Sequence, residues 1–361
     1  MNKLNIITTQ YFDTTGYATV SRFLANSLNR KCEVKLETNM PQGWEGMCTD
    51  DELIMFKRPF DTTIPAMAIM LPQGYFSLLT EETSKFIGCF LWEGNKLSDG
   101  MKQLLEDERI DTLIVPSQHT KDCIKNSECS ILDKVKVIPY GVEHKIFSED
   151  KEIVKHEKFT FLLNKGWPSG INDRGGTQYA IKAYFEEFTK DDPVQMIVKI
   201  NPSYISPGWD FKTEVTKLGL EINENSPDVK INTEVLTPQQ LSIMYNGCHV
   251  YVCTQMADSF NLAGLEAMAC GLPTIQSDFG GQTEYAKSDN SWLIPGKLKP
   301  VTWDLLYEGV SWQEPSVKAI KEAMREAFVN KVVYSSKKEK ALLKAKEFSW
   351  DRCAQEILAV V

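Results

Sequence analysis

The sequence lacks any long hydrophobic run. Its densest apolar stretch, residues 66–71 between Pro65 and Pro72, is far short of the roughly 20 residues a membrane helix needs. Residues 1–12 carry one lysine and a short β-like run, without the apolar core and cleavage site of an export signal. Nine cysteines are scattered without a C-x-x-C, and the four histidines do not gather near them. That argues against a zinc site and sets the expectation of free thiols in a reducing cytoplasm. Basic surplus is missing too: 40 Lys+Arg stand against 49 Asp+Glu, a net charge of −9. Both parts are acidic, 16 against 22 in residues 1–150 and 24 against 27 in the rest, which disfavours a nucleic-acid or anionic-membrane surface. There is no repeat, no low-complexity stretch, and no Asp-x-Asp to hold a divalent cation beside phosphates.

What is present is the composition of an ordinary globular protein, 42% apolar and 25% charged, in a chain of 361 residues that accommodates two domains. Apolar spacing predicts strands at 4–8, 53–56, 66–71, 86–92, 112–116 and 135–139, with helices at 16–30 and 118–126, the latter capped by Ser117. The rhythm restarts with strands at 159–163, 196–200, 249–254, 273–276 and 291–294. Helices are expected at 177–188, 238–245 and 262–270. The charged stretch 148–158 reads as a linker. The expectation is an α/β protein of two Rossmann-like, doubly wound parallel-sheet domains, 1–150 and 151–344, with a last helix at about 345–361 packing back on the first. Ligands of such sheets bind at the carboxyl ends of the strands.

The segment 258–284, DSFNLAGLEAMACGLPTIQSDFGGQTE, is the most informative. Asp258 precedes a small-residue turn, Asn261-Leu262-Ala263-Gly264, and Glu266 follows eight residues after Asp258, inside a helix start. Such a helix opening presents unpaired backbone N–H groups and a positive dipole end to a diphosphate. The two carboxylates would reach hydroxyls at either end of a nucleotide-sugar. On spacing alone, an N-cap aspartate and a solvent-facing glutamate fit equally well.

This segment resembles retaining glycosyltransferase family 4, whose pattern is E-G-F-G-L-x-x-x-E-A-M-A-x-G-x-P-V-I followed by a Gly-Gly pair and a Glu. Asp258, Phe260, Leu262, Glu266, Ala267, Met268, Ala269, Gly271, Pro273, Ile275, Gly280, Gly281 and Glu284 fall in register. The departures are Asp for the first Glu, and Ser259 and Asn261 for the two glycines. The resemblance implies the GT-B fold, two domains facing across a cleft, with Asp258 on the donor sugar's hydroxyls and Glu266 on the ribose. Arg174-Gly175 takes the place of the family's Lys-Gly pair, which makes Arg174 the expected phosphate clamp. Lys165 and Lys199, both at strand ends, are weaker candidates; a solvated surface cation is the plain alternative for all three.

In the front half, Gly16 lies in a turn resembling the family's first glycine loop. Glu93 in CFLWEGNKL resembles the segment that approaches the transferred sugar, and His119 is a further candidate there. Trp44, Phe56, Phe60, Tyr75 and Phe76 lie where the resemblance is thinnest, and core or loop packing is the commoner fate of such residues. The implied reaction moves a hexosyl-type sugar from a UDP- or GDP-sugar to an acceptor hydroxyl, carbohydrate, lipid-linked or other. It needs no cofactor and no metal, because cationic side chains neutralise the leaving diphosphate. Closure of the two domains would exclude water from the anomeric carbon. A non-catalytic nucleotide-sugar-binding subunit, an epimerase or hydrolase, and a DNA-base glycosyltransferase are the competing readings; the acidic balance weighs against the last.

Overall fold

Short runs of β-branched, aliphatic and aromatic residues build two six-stranded sheets, both wholly parallel, in a computed structural model that describes residues 3–77, 84–167, 170–202, 205 and 208–361. The side chains of Phe76 and Ser77 also fall outside the description.

The first sheet holds β1 (Lys3–Thr8), β2 (Glu33–Glu37), β3 (Ala66–Ile69), β4 (Phe86–Cys89), β5 (Thr112–Val115) and β6 (Val135–Val137), in the order β2-β1-β3-β4-β5-β6. Strands β3, β4 and β5 are buried throughout, as parallel strands covered on both faces must be. Its helices are α1 (Gly16–Asn29), α2 (Asp50–Lys57), α3 (Asp99–Leu105) and α4 (Gln118–Asn126). Ser117 caps α4 by accepting from the Thr120 N–H, as the sequence predicts.

The second sheet holds β7 (Phe159–Asn164), β8 (Val194–Lys199), β9 (Asp228–Asn232), β10 (Val250–Cys253), β11 (Thr274–Ser277) and β12 (Ser291–Ile294), ordered β12-β11-β10-β7-β8-β9. This is the strand order of the doubly wound nucleotide-binding fold, and its switch point lies between β7 and β10. Around it run α5 (Thr177–Glu187), α6 (Phe211–Lys217), α7 (Pro238–Gly247), α8 (Leu262–Ala269), α9 (Val317–Val329) and α10 (Lys331–Ala345). Strands β13 (Gly296–Pro300) and β14 (Ser311–Pro315) form an antiparallel hairpin.

The predicted strand at 53–56 is instead part of α2. Thr49 accepts from the Glu52 N–H while the Glu52 carboxylate accepts from the Thr49 N–H, a reciprocal cap that commits DDELIMFK to a helix. Contacts divide the chain into one unit of residues 1–141, 301–310 and 348–361, and another of 142–300 and 311–347. The stretch 148–158 therefore lies inside the second unit, where Asn246 accepts from the Asp150 N–H at 2.8 Å and Lys338 pairs with Glu149 at 2.7 Å. In the first unit α11 (Trp350–Leu358) packs on α1, with the Trp350 ring stacked on Phe23 and Asp351 bound by Ser27 and Arg30. Of the aromatics at 44–76, Phe56 and Tyr75 are buried and Trp44 meets Phe56 edge to face. Phe60 is 43% exposed, and Phe76 lies outside the described side chains. No helix among the described residues is long and apolar enough to cross a membrane.

Candidate functional site

Two loops leave the carboxyl ends of the strands that flank the switch point of the second sheet. One follows β7 and carries Lys165 and Arg174; the other follows β10 and carries Asp258. The first is drawn onto the second through Gly176, whose φ of 73° and close approach to the Thr254 carbonyl exclude a side chain. The Thr254 hydroxyl donates to the Gly176 carbonyl at 3.0 Å, and the Met256 N–H to the Arg174 carbonyl at 2.8 Å. Lys165 and Asp258 meet as an ion pair of 2.5 Å, with side chains only 17% and 24% exposed.

The other Asp258 oxygen accepts from the backbone N–H groups of Phe260 and Asn261, at 3.0 and 2.7 Å. Burial alone would raise this carboxyl, but the Lys165 ammonium, with Arg174 and the loop N–H groups, holds it below the usual carboxylate range. Burial likewise works against the Lys165 charge, and the Asp258 carboxylate outweighs it, so the ammonium is held above its ordinary value. The Gly280-Gly281 pair lies against the backbone of Asp258 and Ser259, and the Gly281 N–H donates to the Asp258 carbonyl at 2.7 Å.

Asn261 takes the place of a glycine in the family pattern, and its backbone shows why asparagine serves. Its φ of 63° is left-handed, a conformation that asparagine tolerates better than other side-chain-bearing residues. Its side chain caps α8 by accepting from the Gly264 N–H and donates to Gln276 at 2.8 Å. The Tyr285 hydroxyl donates to its carbonyl at 2.6 Å. Leu262 and Ala263 open the helix ahead of the first intrahelical bond, so their N–H groups face outward from the helix end.

Glu266 sits one turn into α8. The Tyr245 hydroxyl, itself buried on α7, donates to Glu266 at 3.3 Å and accepts from the Asn164 amide at 3.1 Å. Burial outweighs that bond and pushes the Glu266 carboxyl up to about 7. Tyr245 and Asn164 escaped the sequence reading; position at the end of β7, beside Lys165, was the available signal for Asn164. Lys199 is buried at the end of β8, where its ammonium turns to the Ile200 carbonyl at 3.3 Å. Burial lowers its pKa. Arg174 is exposed.

Gly16, Glu93 and His119 belong to the first unit. Gly16 opens α1 just after its cap Thr15, exposed and with open space where a side chain would stand. Glu93 follows β4 and accepts from the Tyr307 hydroxyl at 2.7 Å. His119 Nε2 donates to the Gly94 carbonyl at 2.8 Å, and burial lowers the imidazole pKa despite that bond.

Two doubly wound parallel sheets of this kind define the GT-B fold class, and the solved structures bear this out. A sucrose-phosphate synthase from Thermosynechococcus elongatus superposes with a TM-score of 0.71 at 14% identity, covering 99% of this chain and 98% of that one. The Anabaena protein HepE, solved in complex with UDP-glucose, gives 0.71 at 13% identity over 99% and 100%. Within the chain, residues 221–341 match the family "Glycosyl transferases group 1". Among curated proteins, the serotype-specific mannosyltransferase WbdA of Escherichia coli is 25% identical over 268 residues, 70% of this chain. A probable sucrose-phosphate synthase of Thermosipho melanesiensis is 27% identical over 64% of it. The chain spans only 29% and 48% of the length of those two relatives.

Proposed function

We propose that the chain transfers a hexosyl unit from a UDP- or GDP-sugar to an acceptor hydroxyl, with retention of anomeric configuration and without a metal, as in glycosyltransferase family 4. The observation that carries this is the Lys165–Asp258 ion pair beside the opening of α8, with Glu266 one turn further on. It puts a fixed cation, a helix N-terminus and two carboxylates around one spot at the switch point. A leaving diphosphate gains charge as the glycosidic bond lengthens, and groups fixed beforehand stabilise it without reorganising.

In this reading Lys165 and Arg174 neutralise the diphosphate, with the Leu262 and Ala263 N–H groups aimed at it; the Gly264 N–H, expected to join them, is taken by the Asn261 cap. Asp258 holds hydroxyls of the donor sugar while anchoring Lys165. Glu266 holds the ribose hydroxyls, and Glu93 and His119 serve the transferred sugar. Gly16 keeps the turn before α1 open, and Lys199 lends distant positive charge. The similarity to a mannosyltransferase favours a GDP-sugar, and that to a protein solved with UDP-glucose favours a UDP-sugar.

The test is a thermal-shift and hydrolysis screen of UDP-, GDP-, ADP- and dTDP-sugars, with and without added Mg²⁺, on wild type and Glu266→Ala. Stabilisation by a UDP- or GDP-sugar that is weakened in Glu266→Ala is the expected result. A wild type indifferent to every nucleotide-sugar would sink the proposal. Activity that requires Mg²⁺ would overturn the metal-free part, and a product of inverted configuration the retention.

A further inference from the structure

The segment from Trp92 to Leu97 has no regular secondary structure, yet several of its groups are held from both sides. From α4 and the residue after it, His119 Nε2 and Cys123 Sγ both donate to the Gly94 carbonyl at 2.8 Å. The Asn126 amide donates to the Asn95 carbonyl at 3.0 Å, and the Leu97 N–H donates to the Ser127 hydroxyl at 2.7 Å. Trp92 Nε1 closes the turn on the Lys96 carbonyl at 2.7 Å.

The opposite side of this loop is held by residues 301–310, which belong to the same unit. Val310 lies so close to Gly94 that any side chain there would collide with it. The Tyr307 ring packs against Trp92 with centroids 4.9 Å apart, and its hydroxyl donates to Glu93 Oε2 at 2.7 Å. Tyr307 is 7% exposed. A backbone clamped by α4 and a carboxylate gripped by a buried phenol amount to a preorganised acid group. The bond also satisfies the buried Tyr307 hydroxyl, so the test has to separate positioning of the carboxylate from packing of the ring.

We propose that Tyr307 is a positioning residue for Glu93: its hydroxyl fixes the carboxylate that the proposed transfer places at the sugar. The inference rests on that reading of Glu93. The two residues lie 214 positions apart in sequence, so the pairing exists only in the fold. His119, in the same arrangement, acts through the Gly94 carbonyl on the backbone that carries Glu93.

The experiment is steady-state hydrolysis of the sugar nucleotides of the UDP, GDP, ADP and dTDP panel by wild type, Tyr307→Phe, Glu93→Gln and the double variant. Phenylalanine keeps the ring on Trp92, and an unchanged melting temperature verifies the fold. Expected are a fall of about tenfold in kcat for Tyr307→Phe with KM for the donor unchanged, a larger fall for Glu93→Gln, and a double variant no slower than Glu93→Gln alone. A merely structural tyrosine predicts losses that multiply in the double variant, and that result overturns the proposal. So does an unaltered kcat in Tyr307→Phe. A wild type that hydrolyses no sugar nucleotide overturns the glycosyl-transfer reading and this inference with it, whereas an active wild type indifferent to Tyr307→Phe overturns this inference alone.

Discussion

Glu266 and the Lys165–Asp258 pair have opposite electrostatic situations a few residues apart, and each leads to a measurable consequence. The Glu266 carboxyl has a folded pKa of about 7, above its ordinary 4.5, so the unfolded chain gives up this proton first as pH rises. Its contribution to stability is whole below about pH 4.5 and is lost as pH climbs through 7. Glu266→Gln removes that loss: at pH 8 the variant should melt about 3 °C higher than wild type, and near pH 4 the two should coincide in calorimetry. Lys165→Ala should destabilise by about 2 kcal/mol in urea, because it strands the Asp258 carboxylate. Arg174→Ala, whose charge acts on Asp258 less than that of Lys165, should destabilise by less than Lys165→Ala in the same measurement. Both should weaken binding of UDP or GDP in calorimetric titration; if only the lysine variant does, Arg174 is no phosphate clamp. The sequence motif names these residues. It does not say that Asp258 pairs with Lys165, which depends on a loop drawn in by Gly176, nor that Tyr245 supports Glu266 from another helix.

Among the elements, α8 is the one whose start sets the geometry of the candidate site. Its cap, Asn261, combines a left-handed backbone with a side-chain hydrogen bond to the Gly264 N–H. Asn261→Ala should cost about 2 kcal/mol, with the midpoint of urea unfolding lowered at constant slope, whereas Asn261→Gly, which relieves the backbone strain, should cost less. Equal losses would show that the hydrogen bond to Gln276 outweighs the backbone. The strongly apolar strands, β3, β4, β5, β7, β8 and β10, are legible because burial on both faces leaves them mostly hydrophobic, with isolated polar members such as Thr112, Thr160 and Gln195. Strands β2 (EVKLE) and β9 (DVKIN) are edge strands with charged residues, and that composition hid them. Helix α2 was misread because LIMF looks like a strand until the Thr49–Glu52 cap is noticed. The fold class survives these errors, since a few central parallel strands suffice to fix it.

For the molecule as a whole, the sequence indicates two series of strands and helices with the last helix returning to the first, but not that residues 301–310 also join the first unit or that the division falls after Gly141. The division after Gly141 reflects packing, not composition: the backbone at Gly141 runs so close to Ser349 and Trp350 that a side chain there would collide with it. Trp350 is 3% exposed and stacks near both Phe23 and Tyr140. Trp350→Ala should therefore cost about 3–5 kcal/mol. Hydrogen exchange should quicken in β1, β3 and β4 while β7, β8 and β10 keep their protection. Uniform quickening would contradict the division.

That three-piece composition also governs the order in which the molecule can be completed. A ribosome that has passed residue 300 has released all of β1–β6, but not residues 301–310 and none of 348–361. Until the final helix emerges, the groove of α1 that receives Trp350 stays uncovered, and Glu93 waits for Tyr307. Residues 1–141 are thus translated well before the two segments that complete their unit, and their uncovered apolar surface in that interval is what a folding helper has to shield.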